Sequence, residues 1–279
     1  MTGVWTDGVA VVTGGSSGIG FALAQRLARE GMDIAIAATN EAKLTKAAES
    51  LRQSSGREVA TVVCDVSDRT QVRALADGVR ARFGRVDMLC ANAGGTTLGA
   101  YLDHASADWD WAIDVNLRGV THCIEAFYPD MVSRRSGTIL LTASHVALFP
   151  DWIVGHGPYV PAKSAVVALA LALRAEAAEH GVQVSALLPG GTETTLTETA
   201  RRVPPDRGGF AVREGFPQPS TPLLSLMSSD EVAARAVSGL RADAPLIVTH
   251  PGLRPLVEEY FSRVLAAYDS AEAWRPEEG

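Results

Sequence analysis

The amino-acid sequence predicts an α/β fold: a doubly wound parallel sheet of about seven strands with helices on both faces. Short β-branched runs alternate with longer segments of helical spacing along the 279 residues, an order typical of strands joined by right-handed helical crossovers. The runs are almost continuously apolar, which predicts strands buried on both faces. There is no fixed-period repeat of the solenoid kind, and residues 1–279 fit a single domain.

The seven expected strands are bounded by Gly, Asn, Asp or Pro, residues that interrupt strands. They cover residues 9–13, 34–38, 59–64, 86–91, 138–143, 182–188 and 246–249. Helical spacing predicts helices over 18–30, 41–53, 69–83, 109–131 and 158–180. Another helix begins at Ser229, where Ser-Asp-Glu is a start signal, and a C-terminal helix with a frayed tail is expected over 251–279.

The composition excludes several classes of protein. With 47% hydrophobic and 20% charged residues, the chain is too apolar to be disordered. No stretch approaches the roughly 18 apolar residues of a membrane span, and the first 12 residues lack the basic cluster of a secretory signal. A net charge of −7 disfavours a nucleic-acid partner. Three widely spaced cysteines indicate neither disulfides nor a metal site, so a cytoplasmic location is expected.

Residues 192–229 are the one break in the alternation. This segment contains five prolines and three glycines, together with Leu, Phe and Met among polar residues. Loops of this length in a compact domain are usually functional or disordered. We expect a substrate lid here, with a poorly ordered surface excursion as the alternative.

A glycine-rich turn follows the first strand. Residues 13–20 read TGGSSGIG and lead directly into a helix. Glycines let the backbone approach a ligand closely, and the helix N-terminus favours an anion such as a pyrophosphate. A tight connection without a ligand is the alternative. The same residues match GxSxG, the nucleophile elbow of serine hydrolases, with Ser16 as nucleophile and His145, His156 or His250 as its partner.

Tyr159 and Lys163 are four residues apart at the start of a long predicted helix, so they point from the same face. An ammonium beside a phenol stabilises the phenolate and lowers the phenol pKa from about 10 toward the working pH. The spacing therefore predicts a tyrosine that acts as a general acid or base.

Taken together, these motifs closely resemble the short-chain dehydrogenase/reductase family over about residues 7–250. The match comprises TGGSSGIG, Asn92-Ala93-Gly94 after the fourth strand, Asn116 in the next helix, Ser144 after the fifth strand, YVPAK at 159–163, and Pro189-Gly190 after the sixth strand. The resemblance implies a Rossmann-type fold and an oxidoreductase that transfers hydride between NAD(P)(H) and a ketone or secondary alcohol.

The resemblance also assigns roles to individual residues. The catalytic group would be Asn116, Ser144, Tyr159 and Lys163, with Tyr159 as proton donor, Ser144 orienting the carbonyl oxygen, and Lys163 binding the nicotinamide ribose. Asn116 would link Lys163 to a proton relay through its main chain and a water. Besides Tyr159 and Lys163, the cofactor would contact Gly14, Ser16, Ser17, Gly18, Ile19, Gly20, Thr39, Asn40, Asp65, Val66, Asn92, Ala93, Gly94, Pro189, Gly190, Thr192 and Thr194.

The end of the second strand bears on cofactor preference. An acid there binds the adenosine ribose and repels a 2′-phosphate, but this chain has Ala38 at that place, followed by Thr39 and Asn40. We therefore expect NADP rather than NAD, although no arginine follows to bind the phosphate.

The substrate is expected to be bulky and hydrophobic or aromatic. The loop from Ser144 to Tyr159 is about two residues longer than is usual in the family. Candidate substrate contacts there and in the lid are His145, Phe149, Trp152, Phe216 and Met227. For His145 and His156 a solvated position in the loop is the simpler interpretation. The resemblance also implies a homodimer or homotetramer.

Three other functions remain open from the sequence. A non-catalytic, dinucleotide-sensing regulator would use the same fold, although such proteins commonly lose the tyrosine or lysine. The second is the serine hydrolase built on Ser16. The third is an epimerase or dehydratase that uses the cofactor only transiently.

Overall fold

The sheet has the predicted architecture. The structure, a computed structural model, describes residues 5–97, 99, 101–151, 156–194, 196 and 226–274. Within these residues every ladder is parallel and the strand order is β3-β2-β1-β4-β5-β6-β7. The strands are β1 Val9–Thr13, β2 Asp33–Ala38, β3 Val59–Val63, β4 Met88–Ala91, β5 Gly137–Thr142, β6 Val182–Leu188 and β7 Leu246–Val248.

Helices follow the strands as the spacing predicts, except that two helices stand where one was predicted over 109–131. They are α1 Gly18–Arg29, α2 Glu41–Ser55, α3 Arg69–Phe83, α4 Ser106–Ile113, α5 Gly119–Arg134, α6 Tyr159–Ala177, α7 Ser229–Arg241 and α8 Arg254–Ala273. Short 3-10 turns lie at Tyr101–Asp103, His145–Leu148, Ala178–His180 and Pro251–Leu253.

Two hydrophobic cores lie on opposite faces of the sheet. Side chains alternate along β1, so Val11 belongs to one core and Val12 to the other. The first core is completed by α3, α5 and α6 through Leu75, Phe127 and Val166. The second is completed by α1, α2 and α7 through Leu23, Leu44 and Val232. This confirms the doubly wound arrangement.

Burial of the strands on both faces is confirmed for the centre of the sheet and wrong for its edges. Every residue of β1 and β4 is buried. In contrast, Val63 at the end of β3 is 52% exposed and Val248 at the end of β7 is 43% exposed. An outer strand has a neighbour on one side only, so its end is not fully covered.

The single helix predicted over 109–131 is interrupted. A π-helical turn, Asp114–Arg118, separates α4 from α5, and the Gly119 N–H donates to the carbonyl of Asp114 five residues back. The Asn116 side chain donates to the carbonyl of Ala112, 2.9 Å away. In a regular helix that carbonyl accepts from the backbone N–H of Asn116, so the side chain competes for it and the turn widens.

The C-terminal helix α8 makes few contacts with the rest of the fold. Arg263 pairs with Asp151 at 2.6 Å, while Phe261, Leu265 and Tyr268 are exposed. In the part of the chain that the structure describes, no helix is both long and apolar enough to cross a membrane.

Candidate active site

A cleft of about 540 Å³ opens at the carboxyl ends of the strands. It begins beside β1 and β4, where the chain order of the sheet reverses and where α/β sheets bind ligands. Of the residues singled out from the sequence, those lining it are Gly14, Ser16, Ser17, Gly18, Ile19, Gly20, Asn92, Ala93, Gly94, Asn116, Ser144, Tyr159, Lys163, Pro189, Gly190, Thr192 and Thr194. Two leucines of the segment 192–229, Leu196 and Leu226, line it as well.

The glycine-rich turn presents an open helix end to this cleft. Gly14 and Gly18 have φ of 68° and 52°, a conformation that residues with a Cβ rarely adopt. Ser17 is the N-cap of α1 but makes no capping hydrogen bond, and the first turn of α1 has no acidic residue. A Cβ on Gly18 would lie 3.3 Å from Thr194 and narrow the cleft. These features fit an anionic group such as a pyrophosphate.

Asn92 ties three strand ends together under the cleft. Its backbone N–H donates to the Thr13 hydroxyl at 3.0 Å, and its side chain donates to the Thr13 carbonyl at 3.1 Å. Its amide oxygen accepts from the Thr142 hydroxyl at 3.2 Å. The ends of β1, β4 and β5 are thereby fixed relative to one another, which sets the floor of the site.

Lys163 is buried in the same floor. It is 3% exposed, and its ammonium donates to the Thr142 carbonyl at 2.8 Å. Burial lowers the pKa of Lys163 from 10.5 to about 8. Gly94 leaves the room that Lys163 needs, because a Cβ there would lie 3.2 Å from the ammonium nitrogen and 2.8 Å from the amide oxygen of Asn116.

Asn116 is fully buried and its side chain is held by backbone groups. Its amide oxygen accepts from the Gly95 N–H at 3.2 Å, and its amide nitrogen donates to the carbonyls of Gly95 at 2.8 Å and Ala112 at 2.9 Å. Its side chain therefore joins the π turn to the segment after β4, next to Lys163.

Tyr159 and Lys163 lie on the same face of α6, with the ammonium 5.8 Å from the centroid of the phenol ring. Burial raises the pKa of Tyr159 to about 12, although the hydrogen bond with Ser144 acts to lower it. The expectation that the lysine brings the phenol pKa toward neutrality is therefore wrong for this structure. The cause is desolvation, which disfavours the phenolate more than the nearby groups favour it.

Four of the predicted cofactor contacts lie beyond the cleft, near the carboxyl ends of β2 and β3. Thr39 and Asn40 are exposed, and the Asn40 amide oxygen caps α2 by accepting from the N–H of Lys43. The carboxylate of Asp65 accepts from the backbone and hydroxyl of Ser67. Val66 is buried. These residues are not among those that line the cavity.

The predicted substrate contacts are not assembled in the cleft. His145 is buried, against the expectation of a solvated loop position, and its ring lies 6.1 Å from that of Phe149. Phe149 faces a smaller cavity with Leu256. Met227 is half-buried beside Thr192, to which it is bridged. Trp152 and Phe216 lie outside the described residues, as does most of the segment 192–229.

Several residues of the site were not found from the sequence as members of it. Thr142 and Gly191 line the cleft. His250 hydrogen-bonds the backbone beside it: the Gly190 N–H lies 3.1 Å from Nδ1, and the Gly191 carbonyl lies 2.9 Å from Nε2. Thr142 is an ordinary β-branched residue at the end of β5, and His250 lies 60 residues along the chain from Gly190. No local signal marks either contact.

Comparison with known proteins places the chain in a family. The sequence model described as short chain dehydrogenase matches residues 8–204. The chain belongs to the short-chain dehydrogenase family. Oxidoreductase UcpA of Salmonella typhimurium is 33% identical over 207 residues, which are 73% of this chain and 77% of that protein.

Solved structures agree with this assignment. A short-chain dehydrogenase/reductase from Burkholderia phymatum in complex with NAD has a TM-score of 0.82 and 29% identity, covering 99% of this chain and 98% of that one. An alcohol dehydrogenase from Thermococcus sibiricus, complexed with 5-hydroxy-NADP, has a TM-score of 0.69 and 30% identity, covering 84% and 90%. The predicted Rossmann-type fold and family are therefore confirmed, and a nicotinamide dinucleotide as cofactor is supported.

Proposed function

We propose that this chain transfers hydride between a nicotinamide dinucleotide and a ketone or secondary alcohol. The observation that carries the proposal is that Tyr159, Ser144 and Lys163 line the same cleft as the glycine-rich turn. The bound dinucleotide would supply the hydride in reduction and accept it in oxidation. Tyr159 would donate a proton from its hydroxyl to the carbonyl oxygen, and Ser144 would hold that oxygen by a hydrogen bond.

Different residues around the cleft would bind different parts of the cofactor. The turn at Gly14–Gly20 would bind the pyrophosphate, and the buried ammonium of Lys163 would bind the nicotinamide ribose. Asn116 would keep Lys163 in place from the neighbouring turn. Oxidation of an alcohol would run the same proton transfer in reverse, with the Tyr159 oxygen accepting the proton.

The end of β2 favours NADP over NAD. Ala38 and Thr39 place no carboxylate where a 2′-phosphate would lie, and Thr39 and Asn40 are exposed donors. Initial rates with NADP and NAD at equal concentration test this preference. A large advantage for NAD would contradict it.

A bulky hydrophobic or aromatic substrate is favoured by two leucines at the mouth of the cleft. Leu196 and Leu226 both line it, and Leu226 is 66% exposed. An apolar ring placed against them would remove this surface from water. The exposed apolar residues of α8, Phe261 and Leu265 among them, are consistent with a homodimer or homotetramer.

The test is a screen of ketones and alcohols followed by NADPH and NADH absorbance, with Tyr159→Phe as the matched variant. Because only the hydroxyl is lost, we expect turnover to fall about 100-fold to 10,000-fold with cofactor affinity and melting temperature unchanged. A fully active Tyr159→Phe enzyme would contradict the mechanism. Absence of net absorbance change with product formation would instead indicate an epimerase or dehydratase, and hydrolysis lost in Ser16→Ala would indicate the hydrolase.

A further inference from the structure

His250 bridges two consecutive peptide groups at the edge of the cleft. It follows β7 and is 5% exposed. Its Nδ1 accepts from the Gly190 N–H at 3.1 Å, and its Nε2 donates to the Gly191 carbonyl at 2.9 Å. The Thr249 hydroxyl lies 2.7 Å from the same Nδ1 and 3.2 Å from the Leu188 carbonyl, so its single proton goes to one of these two acceptors. This set of partners requires a neutral ring with its proton on Nε2.

The environment of the ring favours that neutral state. Burial lowers the pKa of His250; the Gly191 carbonyl and Glu231 act against this, and Arg235 acts with it. The ring of His145 meets it edge-on at 6.0 Å. One uncharged ring contacts both the Gly190 N–H and the Gly191 carbonyl, so it holds these two backbone groups in one relative orientation.

The backbone at Gly190 packs closely against the ring of His250. A Cβ on Gly190 would lie 2.7 Å from Cγ and 3.0 Å from Cδ2 of His250, so a side chain there would displace the ring. Gly191 is also held by Met227, whose N–H donates to the Gly191 carbonyl at 3.0 Å. His250 thus fixes Gly190 and Gly191, just after the end of β6.

We propose that His250 is a positioning residue that orients Gly190 and Gly191 for the nicotinamide half of the cofactor. The inference rests on the proposed function. Gly190 and Gly191 line the cleft next to Ser144, because the carbonyl of Pro189 accepts from the N–H of His145 at 2.9 Å. His250 itself does not line the cleft, so it acts through the backbone. We therefore expect that loss of the His250 hydrogen bonds to Gly190 and Gly191 weakens binding of the nicotinamide and leaves binding of the adenosine phosphates intact.

Three variants separate the contributions of the two hydrogen bonds that His250 makes, one at Nδ1 and one at Nε2. His250→Asn keeps an acceptor near the position of Nδ1, His250→Gln keeps a donor near the position of Nε2, and His250→Phe keeps the ring shape with neither. Binding of NADPH and NADH is followed by their fluorescence, and binding of adenosine 2′,5′-bisphosphate and ADP by calorimetry. The two latter probes lack the nicotinamide, and a thermal melt of each variant reports folding.

We expect the dissociation constant of the dinucleotide to rise about tenfold in His250→Phe, less in His250→Asn and His250→Gln, with that of the fragments unchanged. Unchanged dinucleotide binding in all three folded variants would overturn the proposal. Equal weakening of dinucleotide and fragment would also overturn it, since that is the effect of a general structural role. If the wild-type chain binds fragments but neither dinucleotide, the proposed function fails and the inference fails with it.

Discussion

The ammonium of Lys163 lies 5.8 Å from the ring centroid of Tyr159, and both side chains are almost completely buried. Burial works against the charged form of each group, lowering the lysine pKa to about 8 and raising the tyrosine pKa to about 12. At neutral pH the pair is therefore an ammonium beside a neutral phenol. In that state the tyrosine holds the proton that a carbonyl substrate must receive.

The first prediction is the pH dependence of ketone reduction. Below the Lys163 pKa of about 8 the ammonium is present, and above it the charge is lost. We expect kcat/KM to be level from pH 6.5 to 7.5 and to fall above pH 8, measured at saturating cofactor. Lys163→Met lacks the charge throughout, so its much lower rate should show no such fall. A wild-type rate that increases from pH 8 to 9 would contradict this.

The second prediction compares two glycine-to-alanine substitutions. In Gly94→Ala the new Cβ would lie 2.8 Å from the Asn116 amide oxygen and 3.2 Å from the Lys163 ammonium, so we expect activity to fall at least about tenfold and stability by about 1–3 kcal/mol. Gly78 lies exposed within α3 with nothing near its Cβ position. Gly78→Ala should be fully active and about 0.5–1 kcal/mol more stable.

Urea unfolding and steady-state kinetics of both variants check this pair. The comparison separates crowding at the site from the general effect of adding a methyl group to the backbone. Normal activity in Gly94→Ala would mean that Asn116 and Lys163 can shift without loss of function.

The third prediction concerns stability in acid. Burial lowers the pKa of both His145 and His156 to about 4, below the ordinary value of about 6.5. The unfolded chain therefore binds these protons first, so stability is complete above pH 6.5 and is lost as the pH falls toward 4. Each pKa unit corresponds to about 1.4 kcal/mol, which makes the loss measurable.

Urea midpoints at pH 7 and pH 4.5 test this for the wild type and for His145→Gln/His156→Gln. Carboxylates titrate in both proteins, so the difference between the two slopes isolates the histidines. We expect a flatter pH dependence in the double variant. Identical slopes would show that these rings are not held neutral.

The fourth prediction concerns the mouth of the cleft. If Leu226 contacts a bulky substrate, Leu226→Ala should raise KM for a bulky aromatic ketone about tenfold and leave KM for acetone unchanged. Leu102 is 93% exposed and does not line the cleft, so Leu102→Ala is the matched control. An equal KM for the bulky ketone in both variants would contradict a hydrophobic substrate contact at this position.

Local patterns were sufficient to predict the sheet. The β-branched runs located all seven strands within two residues at each end, because a strand buried on both faces has an unusual local composition. The glycine-rich turn and the i, i+4 pair of Tyr159 and Lys163 were predicted for the same reason: each places its groups within one or two turns of chain.

Features that depend on distant residues were beyond such patterns. The π turn forms because the Asn116 side-chain amide bonds the carbonyls of both Ala112 and Gly95. Helical periodicity carries no information about these contacts. The pKa of Tyr159 depends on how completely other elements cover it. His250 meets Gly190 and Gly191 only because β6 and β7 are neighbours in the finished sheet.

The widened turn at Asp114–Arg118 has a consequence for how the chain tolerates deletions. A π turn accommodates one residue more than the regular turn that it replaces. Removing one residue there would restore ordinary winding and keep α5 in phase with α4. If the residue removed is Asn116, its hydrogen bonds to Gly95 are lost while the helices stay in phase, so we expect a folded chain in which Lys163 is less firmly held.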